Sequence, residues 1–308
     1  MSDGIGYHEA VMVAEVLQYL RPDRGGVYFD GTLGAGGHSE AILRAGTTST
    51  VMGVDQDTEA LAVAGRRLAG WGDRLELVQA NFADAAESLR EPLAGALLDL
   101  GVSSHQIDET RRGFSFRAGT PLDMRMAATT SAATAADLLN ELGEAELADI
   151  FYRYGEERGS RRLARAVVRR RGATPFQTSD DLNAVLESFY GPRITVQDRA
   201  RIYQALRIAV NDELGVLERA LVALREALAA GGVFVVLSYH SLEDRLVKDA
   251  FREWSRSCVC PPELPVCRCR GIALGETLTR KPVMAGASEV AANPRARSAR
   301  LRAWRKAA

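Results

Sequence analysis

Lysine is nearly absent. Of 39 basic residues only Lys248, Lys281 and Lys306 are lysines, so the positive charge is almost all guanidinium, the group that grips phosphate in bidentate geometry. Cysteine is scarce and clustered: all four, Cys258, Cys260, Cys267 and Cys269, fall within one short stretch, unlike the spread framework of a disulfide scaffold. No run approaches the ~18 apolar residues that cross a bilayer. The first twenty residues carry Asp3, Glu9 and Glu15 and no early basic cluster, the wrong pattern for a signal peptide. A cytoplasmic protein is expected. Net charge is −1 and 46% of residues are hydrophobic, which excludes wholesale disorder and a uniformly basic nucleic-acid binder. At 308 residues the chain is long enough for about two domains with a large core.

The positive charge is concentrated. Arg158, Arg161, Arg162, Arg165, Arg169, Arg170 and Arg171 crowd one segment, and Arg295, Arg297, Arg300, Arg302, Arg305 and Lys306 crowd the C-terminus. Each cluster reads equally as phosphate contacts or as a solvated helix face.

Buried apolar runs ending in Gly, Asp or Asn place strands at Val27–Asp30, Thr50–Val54, Leu75–Gln79 and Gly95–Leu100. Helical patterns at Ser39–Ala45, Thr58–Ala69 and Asp84–Leu89 alternate with them, and an amphipathic helix at His8–Leu20 precedes them. Such alternation predicts right-handed βαβ units and a parallel sheet. From Gly113 to Asn211 only helical patterns appear, at Ala135–Arg153, Gly159–Arg171, Ser179–Phe189 and Asp198–Asn211. A helix at Glu213–Ala230, closed by Gly231-Gly232, then leads to a strand at Val233–Leu237, and the last strand is Ala299–Trp304. Pro261–Pro265 and Met284–Pro294 read as loops.

The run Asp30-Gly31-Thr32-Leu33-Gly34-Ala35-Gly36-Gly37-His38-Ser39 follows the first strand and opens a helix. Small residues there let the backbone approach a ligand, and a helix N-terminus offers N–H donors to an anion. Asp55 ends the next strand, where an acid accepts hydrogen bonds from ribose hydroxyls. The dinucleotide pattern G-x-G-x-x-G would need glycine where Ser39 stands. The methyltransferase form D-x-G-x-G-x-G fits better, with Asp30 leading, Thr32 in the first glycine slot, then Gly34 and Gly36. Phe82 after the third strand could stack on adenine, although taken alone it is better explained by core packing. Asp99 ends the fourth strand where a methyl group would be handed over. Together the four strand ends point to S-adenosyl-L-methionine as cofactor.

Carbon-5 pyrimidine methylation needs a thiolate that adds to the ring, and no cysteine directly follows the fourth or fifth strand. An exocyclic amine needs none, only an acceptor that holds its hydrogens and orients its lone pair. Asp99, Ser103-Ser104 and the segment Ser238-Tyr239-His240-Ser241-Leu242-Glu243-Asp244-Arg245 are placed for that, and Tyr239 could receive an unstacked base.

Longer motifs make a family resemblance specific. Gly101-Val102-Ser103-Ser104-x-Gln106-x-Asp108, Arg112-Gly113-Phe114-Ser115-Phe116, Pro121-Leu122-Asp123-Met124-Arg125-Met126, Tyr154-Gly155-Glu156-Glu157, Gln204 to Asn211, the HSLEDR run from His240, and Asn293-Pro294-Arg295-x-Arg297-Ser298-Ala299-x-Leu301-Arg302 resemble the RsmH/MraW family. The matches run from His8 to Arg302. The resemblance implies a Rossmann-like methyltransferase sheet, residues 1–112 and 212–308, with a helical substrate-recognition domain inserted at 113–211. It further implies methylation of the exocyclic N4 of a cytidine in the decoding region of 16S ribosomal RNA. Carried over residue by residue, the family's cofactor contacts fall on Gly36, Gly37, His38, Asp55, Phe82, Asp99 and Gln106; His38 and Gln106 come from the resemblance alone. Asp99 and His240 are the catalytic candidates, although capping of a helix by Ser241 accounts for that segment equally well.

The sequence departs from the family at His105, which stands where proline is usual, and at Val196–Tyr203, where the family reads much like HPATRTF. Two rival classes are a non-catalytic RNA-binding protein that keeps the fold, and a DNA methyltransferase. A homodimer is compatible with the sequence. Cys258, Cys260, Cys267 and Cys269, spaced C-x-C-x6-C-x-C around three prolines, could build a tetrahedral thiolate zinc site; the usual zinc spacing is C-x2-C, so reduced thiols in a compact loop are the default expectation and no metal ligand is assigned.

Overall fold

In the computed structural model the described residues are 10–102, 109–127, 132–261, 266 and 268–308. The chain forms two compact units, Met1–Gly101 with Val216–Ala308, and Val102–Gly215. The sequence pattern places the junctions at 112/113 and 211/212. The structure places them outside those points because flanking residues bond within the helical unit: Met124 N–H donates to Arg112 O, Asn211 bonds Met124 and Met126, and Arg207 grips Glu213 at 2.7 Å.

The first unit is built on one sheet. Strands β1 (Gly26–Asp30), β2 (Ser49–Asp55), β3 (Leu75–Gln79), β4 (Leu93–Asp99) and β5 (Leu228–Ser238) run parallel, and β8 (Arg300–Lys306) pairs antiparallel with β5. The short strands β6 (Gly275–Thr277) and β7 (Val283–Met284) add to β8, giving the order β3-β2-β1-β4-β5-β8-β6 with β7 off that path. Strand order reverses between β1 and β4, and in such sheets the crevice at that point, outside the carboxyl ends, is where ligands bind.

Side chains alternate across the sheet, as the strand repeat requires. Tyr28, Leu97 and Val235 face α1 (Val13–Leu20) and α2 (Gly37–Ala45). Phe29, Leu98 and Val236 share the opposite core with α4 (Phe82–Ser88), α10 (Glu213–Ala227) and α11 (Ser241–Trp254). There Phe234, Phe251, Trp254 and Trp304 form an aromatic cluster with ring centroids 5.2 to 6.4 Å apart. Helix α3 (Thr58–Arg67) lies between β2 and β3 in the chain, capped by the Asp57 carboxylate.

Several expected boundaries shift. The helix expected at Glu213–Ala230 ends at Ala227 and pairing starts at Leu228, with a register shift before Val233 in which Gly231 takes φ +76°. Strands β6 and β7 fall in segments with no strand pattern. Within the expected loop Met284–Pro294 lies helix α12 (Ala287–Ala292).

The C-terminal basic cluster is largely part of the sheet. Arg302, 6% exposed, holds Asp244 of α11 through Nε at 2.6 Å and Nη2 at 3.2 Å; Lys306 Nζ donates to two backbone carbonyls. Asp244→Ala strands a buried guanidinium, so a loss of about 3–5 kcal/mol in unfolding free energy is expected. Urea melts check this, and Asp244→Ala with Arg302→Met should recover much of the loss. Equal stability of the single variant and wild type would show that the pair contributes nothing.

The second unit is helical: α5 (Ala135–Glu141), α6 (Glu144–Arg153), α7 (Ser160–Arg171), α8 (Ser179–Tyr190) and α9 (Val196–Asn211), around Leu139, Leu147, Phe151, Leu163, Phe176, Leu186 and Ile202. The expected helix Ala135–Arg153 breaks at Leu142-Gly143, where Gly143 is extended and its N–H donates to Glu146. In the arginine-rich α7, Arg170 pairs with Asp181 and Arg171 caps the carbonyls of Leu139 and Leu142, so these two serve the fold. Arg158, Arg161, Arg165 and Arg169 are exposed. The atypical stretch at Val196–Tyr203 is locally consistent: Thr195 and Asp198 form a capping box, and Arg201 joins Asp198 and Glu157.

Candidate active site at the strand ends

The glycine loop leaves β1 and enters α2. Asp30 is fully buried; its carboxylate accepts from Thr32 N–H at 3.2 Å and Ser39 Oγ at 2.7 Å, which ties the two ends of the loop together. Burial pushes the Asp30 pKa up. Thr32 sits in the first glycine slot for a visible reason: its hydroxyl accepts from the backbone N–H of Asp99 at 2.6 Å and so joins the ends of β1 and β4. Gly36 has φ +81°, and a Cβ there would lie 2.7 Å from Leu68 Cδ1. Gly37 has no such backbone need, but a Cβ would lie 2.9 Å from Ala10 Cβ. Among the described residues no side chain caps the start of α2, and its first N–H groups can meet an anionic ligand.

His38, on that first turn, is buried, and neither ring nitrogen makes a hydrogen bond among the described residues. Its Nε2 is 3.4 Å from Asp99 Oδ2. Burial lowers the His38 pKa, but the carboxylates of Asp99, Asp30 and Glu289 outweigh it and carry the pKa above the ordinary histidine value. The Asp99 carboxylate faces Nε2, while Nδ1 is buried and unbonded among the described residues, which costs free energy unless a ligand satisfies it. The carboxylate of a methionine moiety would fit both this ring and the uncapped helix.

Asp55, at the end of β2, accepts from Gly34 N–H and Asp57 N–H, each at 2.9 Å. Burial raises its pKa to about 6 against those two hydrogen bonds. Phe82 opens α4 after Asn81, whose side chain caps that helix, and packs partly buried against the sheet core beside Gly31. It therefore serves the core and can still offer a ring edge.

Asp99 ends β4 with its side chain 22% exposed. The hydroxyl of Tyr239, just past β5, donates to Asp99 Oδ1 at 2.7 Å. Burial and the facing Asp99 carboxylate push the tyrosine pKa up, so Tyr239 stays a donor. The sequence offered Tyr239 as an aromatic that could receive an unstacked base and as part of a segment placed near the amine, not as a partner of Asp99. Nothing in its local context signals a bond to a residue so distant in the chain.

His240, not Ser241, caps α11: its Nδ1 accepts from Glu243 N–H at 3.4 Å, and its own N–H and that of Tyr239 donate to Glu243 Oε2. The His240 ring is thus engaged with its own helix turn. Gln106 and the serines Ser103 and Ser104 lie outside the described residues. A groove of about 970 Å³ beside Glu91, Pro92, Leu228 and Ala229 borders the amino ends of β4 and β5, away from these residues.

Sheet topology, glycine loop and the acids at the ends of β1, β2 and β4 define the class: an S-adenosylmethionine-dependent methyltransferase with a Rossmann-like sheet and a helical insertion. The family model of the MraW methylase family matches residues 6–307. Similar full-length proteins include one from Geotalea uraniireducens, 50% identical over 97% of this chain and 98% of its own, and one from Gemmatimonas aurantiaca, 51% identical over 98% and 96%. Both carry the name ribosomal RNA small subunit methyltransferase H. The chain belongs to the MraW methylase family.

Proposed function

We propose that this enzyme transfers a methyl group from S-adenosylmethionine to the exocyclic N4 of a cytidine in the decoding region of 16S ribosomal RNA. The names of its relatives support ribosomal RNA of the small subunit as substrate. The observation that carries the amine assignment is Asp99, held by Tyr239 through Oδ1 and by Thr32 through its backbone N–H.

When bound, the cofactor supplies an electrophilic methyl on a sulfonium sulfur. The other tasks fall to the protein. The cytosine amine has its lone pair delocalised into the ring, so it is a poor nucleophile until a hydrogen-bond acceptor holds its hydrogens and localises the pair. Asp99 is that acceptor. As the N–C bond forms and the S–C bond breaks, nitrogen becomes acidic and loses one proton, with Asp99 or water as the first acceptor. His38 and the start of α2 hold the methionine end, Asp55 the ribose, and Phe82 the adenine. We place His240 as a positioning residue: its cap sets the start of α11 and with it Tyr239. Cys258, Cys260 and Cys269 cluster with one another on the loop after α11, not at a strand end, which suits direct transfer to nitrogen better than carbon-5 addition.

Nucleoside mass spectrometry of small-subunit RNA from cells with and without the gene tests the reading. Loss of N4-methylcytidine in the deletion is expected; an unchanged level would overturn the target. Tyr239→Phe removes one charge-assisted hydrogen bond to Asp99, so a drop in kcat of about ten- to a hundredfold is expected with cofactor affinity little changed. Single-turnover kinetics decide, and a kcat equal to wild type would remove Tyr239 from the site.

A further inference from the structure

Outside the strand-end site a second set of ligating side chains converges within the first unit. The loop between α11 and β6 brings the sulfurs of Cys258, Cys260 and Cys269 within 4.8 Å of one another. The convergence is reciprocal. The N–H of Val259, between the first two cysteines, lies 3.3 Å from Cys269 Sγ, and the N–H of Arg268, just before Cys269, lies 3.4 Å from Cys260 Sγ. Each chain segment thus donates to a sulfur of the other.

The frame around the sulfurs is fastened by contacts within the chain. Arg270 clamps the end of α11 through Glu253 Oε1 at 2.8 Å and Arg256 O at 3.0 Å. Leu274 N–H donates to Trp254 O at 2.8 Å, and Ala307 N–H donates to Leu274 O at 2.9 Å. Both ends of the loop are therefore fastened to the sheet unit. Cysteines that merely pack as small hydrophobes are among the most buried residues; these three are only partly buried.

We propose that Cys258, Cys260 and Cys269 supply three of the four ligands of one zinc ion, with water or another exogenous ligand in the fourth position, and that this ion locks the connection between α11 and β6. Thiolates select soft or borderline cations, and zinc takes them in tetrahedral geometry with bonds of ~2.3 Å, which sets sulfurs roughly 3.8 Å apart. The observed grouping needs a contraction of at most about 1 Å to reach that spacing. Each thiol gives up its proton on ligation, so zinc uptake releases protons and tightens as pH rises. The C-x-C spacing that distinguishes this loop from the usual C-x2-C has a use here: it puts one backbone N–H between two ligands and aims it at the facing segment.

The test uses the full chain, purified reduced and without chelator, then supplied with zinc and desalted. About one zinc per chain by elemental mass spectrometry is expected. Replacement by cobalt should give a sulfur-to-cobalt charge-transfer band and the intense visible bands of a tetrahedral site. Cys258→Ser and Cys269→Ser should each weaken the band and release zinc to a chromogenic chelator at least ~tenfold faster. Chelation of the wild type should lower its Tm without changing cofactor affinity, a readout independent of variant folding. Less than about a tenth of an equivalent of zinc, with no charge-transfer band, overturns the proposal. So does copper or iron bound in place of zinc.

Discussion

Asp99→Ala is expected to lower the rate of methyl transfer by on the order of a hundred- to ten-thousandfold, while cofactor affinity changes by less than about tenfold. The reason is geometric. Asp99 Oδ1 is held by Tyr239 at 2.7 Å and its backbone by Thr32 at 2.6 Å, so the carboxylate is oriented before a substrate arrives and spends no reorganisation energy during transfer. Asp99→Asn keeps the shape and an acceptor for Tyr239 but places an N–H₂ donor in the site, so it should be nearly as slow. A split between kcat and cofactor Kd, read from single-turnover rates and calorimetry, separates this role from a structural one. Loss of Tm in proportion to loss of rate would argue for structure alone.

Asp55→Ala is expected to raise the cofactor dissociation constant by about ten- to a hundredfold, the loss of one or two hydrogen bonds from ribose hydroxyls to a charged group. The wild type should also show a pH dependence. Asp55 has its pKa raised to about 6, chiefly by burial, so it accepts fully above that value and loses its charge below it. Affinity measured with S-adenosylhomocysteine should fall about tenfold between the plateau and one pH unit below the pKa. In Asp55→Asn that step should vanish. The sign for folding is opposite. A carboxyl whose pKa is raised by folding favours the folded state when protonated, and that contribution is lost as pH rises from 3.8 through about 6. The ionised form is thus kept at a cost to the fold and in favour of the ligand.

Much of this site is readable from the chain because buried parallel strands are continuous apolar runs that stop where the backbone meets the ligand crevice. Asp30, Asp55 and Asp99 stand at those stops, and the glycine loop marks the first of them. What the sequence hides depends on partners far along the chain. Tyr239 finds Asp99, and Asp244 finds Arg302, only once β4, β5 and β8 lie side by side. Strands β6 and β7 are three and two residues long, too short for any alternation to show, and exist because β8 offers them a pairing edge. The alanine-rich end of α10 carries a helical pattern past Ala227, yet β4 captures Leu228 opposite Leu93, a tertiary contact overriding local propensity. The basic tail reads as a phosphate grip until Arg302 and Lys306 are seen bonded inside the sheet unit. Arg161 and Arg169 stay exposed on α7, whereas Arg165 pairs with Glu144 at 3.4 Å.

The most direct test supplies purified enzyme with S-adenosylmethionine carrying a deuterated methyl group and small-subunit RNA from cells lacking the gene. The RNA is then digested to nucleosides for mass spectrometry. Labelled N4-methylcytidine, formed by the wild type and not by Asp99→Ala, is the expected product. Label appearing in 5-methylcytidine or in another base, or equal labelling by the Asp99→Ala variant, would contradict transfer to an amine held by Asp99.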